Sequence, residues 1–181
     1  KQGVIPYLDV LTPLALQIGA VNTIFRRDGR LIGDNTDAPG FMADLYKNFP
    51  KPNISQSALV LGAGGSARAV VFALLTAGWH VTIATRPPQK YREIINGPTL
   101  RNEQCAVIGL ESLPEYIRNI AHFQREELDK KTSRVHQPLF LIVNTTPVGM
   151  APDIEFSPWP NDLPFPIGAF VYDLVYNPVD P

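Results

Sequence analysis

Two strings in this chain group residue types that do chemistry. GDNTDAPGF, residues 33–41, sets Asp34, Asn35 and Asp37 within a few positions at the edge of a turn. Carboxylates beside an amide can orient the hydroxyls of a polar substrate or hold a proton-transferring partner. The same residue types also build turns, as does Asn22 in GAVNT, and the residues alone leave both readings open. SALVLGAGGSARAVVFALL, residues 57–75, reads as an apolar strand, a glycine turn and a helix start. Gly62-x-Gly64-x-x-Ala67 has the spacing of a dinucleotide turn: Gly62 allows the sharp bend, Gly64 lets a diphosphate approach the backbone, and Ala67 keeps helix and strand close. The amides of Gly65 and Ser66 would then face phosphate oxygens from the helix N-terminus. A strand–helix turn with no ligand is the plainer alternative. A nucleotide site beside a polar-substrate site is what an oxidoreductase needs.

The end of the next strand bears on the choice of nucleotide. Thr85-Arg86-Pro87-Pro88-Gln89-Lys90 offers no acid for ribose hydroxyls and supplies two cations. A 2′-phosphate favours such a site, and arginine adds bidentate hydrogen bonding. NADP is therefore expected over NAD, with ordinary surface cations as the alternative. The three histidines, His80, His122 and His136, show no ligand spacing, and no metal is expected.

These strings need elements to position them. Residues 4–18 carry helix-like apolar spacing broken by Pro6 and Pro13, with Thr12-Pro13 suited to an N-cap and first helical position. AVNTIFRR and RLIGDN flank Asp28-Gly29, a two-residue hairpin pattern. A helix is expected from about Pro39 to Tyr46, then a connector over 48–56. Strands follow at 57–63 (SALVLGA), 80–85, 105–110, 139–144 and 170–176, with helices expected over 65–77, near 88–96, and from a Ser112 cap through Phe123. Apolar strands alternating with helices imply a doubly wound, Rossmann-like parallel sheet in an α/β chain. Six prolines between Pro147 and Pro166 imply a loop running over the surface. The mixed charges of residues 122–137 imply a solvated helix extension or loop.

Composition excludes several classes. The chain has 181 residues, a net charge of −1 and 45% hydrophobic residues, so it can bury a core but projects no strong field toward nucleic acid or a membrane surface. No apolar run approaches the roughly 20 residues that span a bilayer. The single Cys105 cannot pair within the chain and fits a reducing, cytoplasmic setting.

IGAVNT, GDNTDAPGF, VLGAGGSARAVVFAL, NTTPVGM and VYDLVYNP occur in this order across nearly the whole chain, and together they resemble the shikimate dehydrogenase family. That resemblance implies NADPH-dependent reduction of 3-dehydroshikimate to shikimate, in the biosynthesis of chorismate and the aromatic amino acids. It implies Asp37 and Lys1 as the catalytic pair, Lys1 standing 21 residues before Asn22 where the family carries a lysine. Asn22 and Tyr176 would hold the substrate. Gly62, Gly64, Gly65, Ser66, Ala67, Thr85, Arg86, Lys90, the backbone of Thr145 and Thr146, and Leu174 would face the cofactor. Residues 1–47 would be part of a truncated N-terminal α/β substrate domain, 48–56 a connector, and 57–181 an NADP-binding domain shortened at its C-terminal end. A monomer or homodimer is expected. Two other functions compete: a non-catalytic dehydrogenase-like sensor module, and a quinate/shikimate dehydrogenase using NAD, which should carry an acid near Pro87.

Overall fold

The computed structural model describes residues 1–49, 56–86, 104–129, 140–152 and 154–177. Two sheets are built. In the smaller one, β2 (Thr23–Arg27) and β3 (Arg30–Asp34) form the expected hairpin, closed by Asp28 and Gly29 at φ 51° and 77°. Positive φ at both positions is what a two-residue turn matching the strand twist requires. A short strand β1 (Val10–Leu11) adds to β3 in parallel. The apolar spacing of residues 4–18 is helix-like but interrupted by Pro6 and Pro13, with a helix start expected at Thr12-Pro13. The two prolines divide the segment into a 3-10 turn (Ile5–Tyr7), β1, and helix α1 (Pro13–Ile18), which starts where expected. Thr12 caps α1 as expected, accepting from the Ala15 amide at 3.2 Å.

Helix α2 (Asp37–Asn48) begins two residues before the expected Pro39. Proline is tolerated there because the first-turn amides have no intrahelical acceptor to lose. Strand β4 (Ser57–Leu61) leads through the glycine turn into α3 (Gly65–Thr76), and then β5 (His80–Thr85) follows. Beyond it lie β6 (Cys105–Gly109), helix α4 (Leu113–Asp129), β7 (Phe140–Asn144) and β8 (Phe170–Asp173). Ser112 belongs to a 3-10 turn, Leu110–Ser112, leading into α4. The helix expected near 88–96, the 130–137 part of the charged segment and Lys90 lie outside the described residues.

The larger sheet is wholly parallel, in the order β6-β5-β4-β7-β8. Its strands alternate strictly between two cores. Ala58, Val60, Val81, Ile83, Leu141 and Val143 face α3 and α2, whereas Leu59, Leu61, Ala84, Phe140 and Ile142 face Leu113 and Ile117 of α4. Helical elements on both faces make the sheet doubly wound, as the alternating pattern predicts. The first core also holds Ile18, Ala20, Phe41 and Leu45, so α1 and α2 share one apolar interior with the larger sheet. The proline-rich loop is more than surface cover. Its Trp159 and Leu163 are buried in the second core, and the indole Nε1 donates to the Leu163 carbonyl at 2.7 Å.

Cys105 opens β6, packed against the first core, and burial pushes its thiol up to about 11. Only the thiolate alkylates. Iodoacetamide at pH 8 is therefore expected to label Cys105 about a hundredfold more slowly in the folded protein than in urea, since each unit of pKa is a factor of ten in thiolate. Equal rates would contradict this placement.

Candidate active site

The polar string after β3 divides its labour. Asp34 Oδ1 accepts from the Asn35 amide at 2.8 Å and from the Thr12 hydroxyl. Asn35 is 1% exposed. Its Nδ2 donates to the Ala20 carbonyl at 2.9 Å, and its Oδ1 accepts from the Ala38 amide at 3.2 Å in the first turn of α2. Both residues thus build the turn. Asp37 is left, in the first helical turn, where the helix dipole favours a carboxylate.

Both oxygens of Asp37 have partners. Asn22 Nδ2 donates to Oδ1 at 2.6 Å, and the Lys1 ammonium donates to Oδ2 in a short ion pair. Asn22 is itself clamped: Nδ2 also donates to Thr36 Oγ1 at 2.9 Å, and Oδ1 accepts from the Thr36 amide at 2.9 Å. The Lys1 carbonyl accepts from the Val21 amide at 3.0 Å, tying the lysine backbone beside Asn22. Lys1 Nζ also donates to Ser66 Oγ at 2.8 Å, the second residue of α3. With two of its three N–H groups so engaged, the ammonium keeps one for a ligand. The side chains of Lys1 and Asp37 are 34% and 31% exposed, so the pair opens to solvent.

Across from this pair lies the glycine turn. Strand order reverses direction between β4 and β7, and such a switch point places the carboxyl ends of two strands around one crevice. Gly62, after β4, has φ 105°, and a Cβ there would stand 2.8 Å from Thr145 Oγ1 and 3.0 Å from Thr146 Cγ2. Gly64, the N-cap of α3, would meet nothing within 4 Å of an added Cβ. No side chain caps the helix there, so its first-turn amides are left to a ligand. Open space at Gly64, a forced bend at Gly62 and an uncapped twelve-residue helix are the features a dinucleotide diphosphate requires. At Gly65 an added Cβ would fall 2.6 Å from Lys1 Cβ, so this glycine makes room for the lysine. Ala67 is fully buried against the first core.

The remaining expected residues are less uniform. The Thr145 amide donates to the Leu61 carbonyl at 3.0 Å, with its hydroxyl on the same oxygen at 2.6 Å. The Thr146 amide donates to Asn144 Oδ1 at 2.9 Å. Both backbone donors are therefore committed inside the protein, and these threonines wall the turn opposite Gly62. Leu174 donates its amide to the Asn144 carbonyl at 3.1 Å and packs on the first core. Thr85 is buried at the end of β5, and Arg86 is the first exposed side chain beyond it. Tyr176 is 77% exposed and makes no hydrogen bond to Lys1, Asp37 or Asn22.

Sequence reasoning passed over Asn144 and Asp173. The buried Asn144 donates to Asp173 Oδ1 at 3.0 Å and accepts from both the amide and the hydroxyl of Thr146, joining the ends of β7 and β8. An amide directly after the apolar run LFLIV is the pattern that points to it.

No protein-family model matches the chain. Among curated proteins it is 39% identical to the NADP(+) shikimate dehydrogenase of Salinibacter ruber, over 98% of this chain and 58% of the relative. Identity to the corresponding protein of Moorella thermoacetica is 40%, over 99% of this chain and 55% of the relative. The solved shikimate 5-dehydrogenase of Thermus thermophilus, in complex with NADP(H) and shikimate, superposes with a TM-score of 0.71 at 36% identity, over 98% of this chain and 56% of that one. Over nearly its whole length the chain is thus similar to shikimate dehydrogenases. It spans 55–58% of the length of these two curated relatives. A quinate dehydrogenase from Corynebacterium glutamicum, in complex with NAD, superposes with a TM-score of 0.72 at 27% identity, over 99% of this chain and 57% of that one.

Two glycine substitutions separate fold from binding. Gly62→Ala is expected to lower stability by about 2 kcal/mol or more, from positive φ and the Thr145 contact. Gly64→Ala should leave the thermal midpoint within about 1 °C, because its β-region backbone suits alanine and no atom is met. It should still weaken dinucleotide binding at least about tenfold by filling the space a diphosphate needs. Calorimetry and fluorescence titration with NADPH read both; unchanged affinity in Gly64→Ala would contradict the cradle.

Proposed function

We propose that the protein carrying this chain interconverts 3-dehydroshikimate and shikimate with NADPH or NADP, in the biosynthesis of chorismate and the aromatic amino acids. One observation carries the reading: the Lys1–Asp37–Asn22 cluster faces an uncapped glycine turn at the sheet's switch point. Bound NADPH supplies the hydride to the ketone carbon. The chain's own groups do the rest. Lys1 Nζ keeps one N–H for the ketone oxygen, where negative charge develops, and gives up its proton to that oxygen as the alcohol forms. Asp37 holds the ammonium in place and takes part in the relay. Asn22, fixed by Thr36, and Tyr176 orient ring hydroxyls.

The cofactor cradle in this reading is Gly62, Gly64, Gly65, Ser66 and Ala67, flanked by Thr145, Thr146 and Leu174. Arg86, with Thr85 and Lys90 beside it in sequence, would hold a 2′-phosphate, which favours NADP; Pro87 stands where an NAD enzyme would carry an acid. We take residues 1–47 as part of a substrate domain, 48–56 as a connector and 57–181 as the nucleotide domain. A cytoplasmic monomer or homodimer fits this role. Among the described residues no helix is long and apolar enough to cross a membrane.

Shikimate-dependent NADP reduction, followed at 340 nm, tests the reading. Asp37→Asn and Lys1→Ala should each lower turnover by at least about a hundredfold, the usual scale for acid–base groups, with the Kd for NADPH held within about twofold. Near-normal turnover in either variant removes the assigned roles. Faster turnover with NAD and quinate than with NADP and shikimate would instead favour the quinate reading, which the Corynebacterium glutamicum neighbour supports.

A further inference from the structure

Helix α2 and strand β8 meet away from the chemistry, through a contact that no relative's name accounts for. Tyr172 Oη donates to Asp44 Oδ2 at 2.7 Å. The Tyr172 ring meets Phe41 edge-to-face, with centroids 5.1 Å apart and planes at 74°. A second edge-to-face pair, Phe49 with Phe170 at 4.2 Å, lies at the other end of the same helix and strand. On α2, Asp37, Phe41 and Asp44 stand at i, i+4 and i+7, one stripe down one face. The helix that carries Asp37 at its first turn is thus gripped lower down the same stripe. The grip falls on the edge strand of the larger sheet, whose C-terminal end holds Asp173, Leu174 and Tyr176.

We propose that Asp44 and Tyr172 are positioning residues: their hydrogen bond fixes α2, and with it the Asp37 carboxylate, at a set distance from the nucleotide crevice. The elements on either side are locally stiff. Asp37 is clamped by Asn22, and the end of β8 is clamped by Asn144 through Asp173 and the Leu174 amide. Elsewhere the Lys1–Ser66 hydrogen bond ties the first residue to the start of α3, and apolar packing around α2 and α3, which is adhesive but not directional, joins the small sheet to the large one. A hydrogen bond to a charged acceptor adds direction and roughly twice the strength of a neutral one. Burial and the Asp44 charge hold the Tyr172 hydroxyl up at about 12, so it stays a donor through the neutral range. Lys47 Nζ lies 3.8 Å from the other carboxylate oxygen of Asp44, one helical turn on.

The geometric half of this proposal is independent of any activity; its effect on turnover rests on the function proposed above. Spin labels at Arg30→Cys, on the hairpin, and Asn119→Cys, on α4, both exposed, are placed in a Cys105→Ser background. Pulsed dipolar spectroscopy then reads the distance between the two sheets. One narrow distribution is expected for the parent. Tyr172→Phe keeps the ring on Phe41, yet should broaden the distribution or add a second population, and Asp44→Ala should do the same. Asp44→Asn retains an acceptor and should restore the narrow peak. Unchanged distributions in both Tyr172→Phe and Asp44→Ala, with circular dichroism showing both folded, overturn the proposal. If the protein turns over shikimate, Tyr172→Phe should lower kcat about tenfold, the scale of a small misplacement, while the Kd for NADPH stays within about twofold. An unchanged kcat would remove the catalytic consequence. A parent with no turnover would refute the proposed activity and leave the distance result standing.

Discussion

A carboxylate on which a helix dipole, an amide and an ammonium converge is the constraint the site is built around. Asp37 occupies the first turn of α2, accepts from Asn22 and pairs with Lys1. None of these contacts is local: Asn22 lies before the hairpin, Asp37 after it, and Lys1 at the far end of the small unit. The hairpin and α1 bring the three together. Backbone bonds do the holding, since the Val21 amide binds the Lys1 carbonyl and the Asn22 amide binds the Asp34 carbonyl. An exposed lysine–aspartate pair contributes little to stability by itself.

The same pair reaches across to the glycine turn. Lys1 Nζ touches Ser66, and Gly65 leaves the room its side chain needs. Ammonium, carboxylate and the amide-lined start of α3 therefore border a single space. The parallel sheet decides where that space opens. After β6 the chain crosses to the other side of β4, so the turn following β4 and the loop following β7 end up side by side. Thr145 and Thr146 then press on Gly62, where a side chain would not fit.

Much of this was legible in the chain. The apolar run SALVL, the spacing of Gly62, Gly64 and Ala67, and the alternation of strands with helices pointed to the larger sheet and its crevice. Asp28-Gly29 pointed to the hairpin. The polar string at 33–37 was less transparent, because Asp34, Asn35 and Asp37 look alike on paper. Only tertiary contacts show that the first two serve the turn and the third faces outward. Short elements such as β1 were hidden because two prolines cut a helical pattern into pieces too small to carry a period of their own. The amides of Thr145 and Thr146 donate to Leu61 and Asn144, a partnership set by strand register that no local pattern records. Nor could spacing find Asp44 with Tyr172, which meet across 128 positions of sequence.

The central claim is that Lys1 and Asp37 act as one unit on the substrate, and a double-mutant cycle on kcat/KM for shikimate tests it most directly. Groups that work as a unit lose nearly everything when either is removed. Combining Lys1→Met with Asp37→Asn should leave an enzyme no worse than the weaker of the two single variants. If the two losses multiply instead, the ammonium and the carboxylate act independently, and the paired proton relay is wrong.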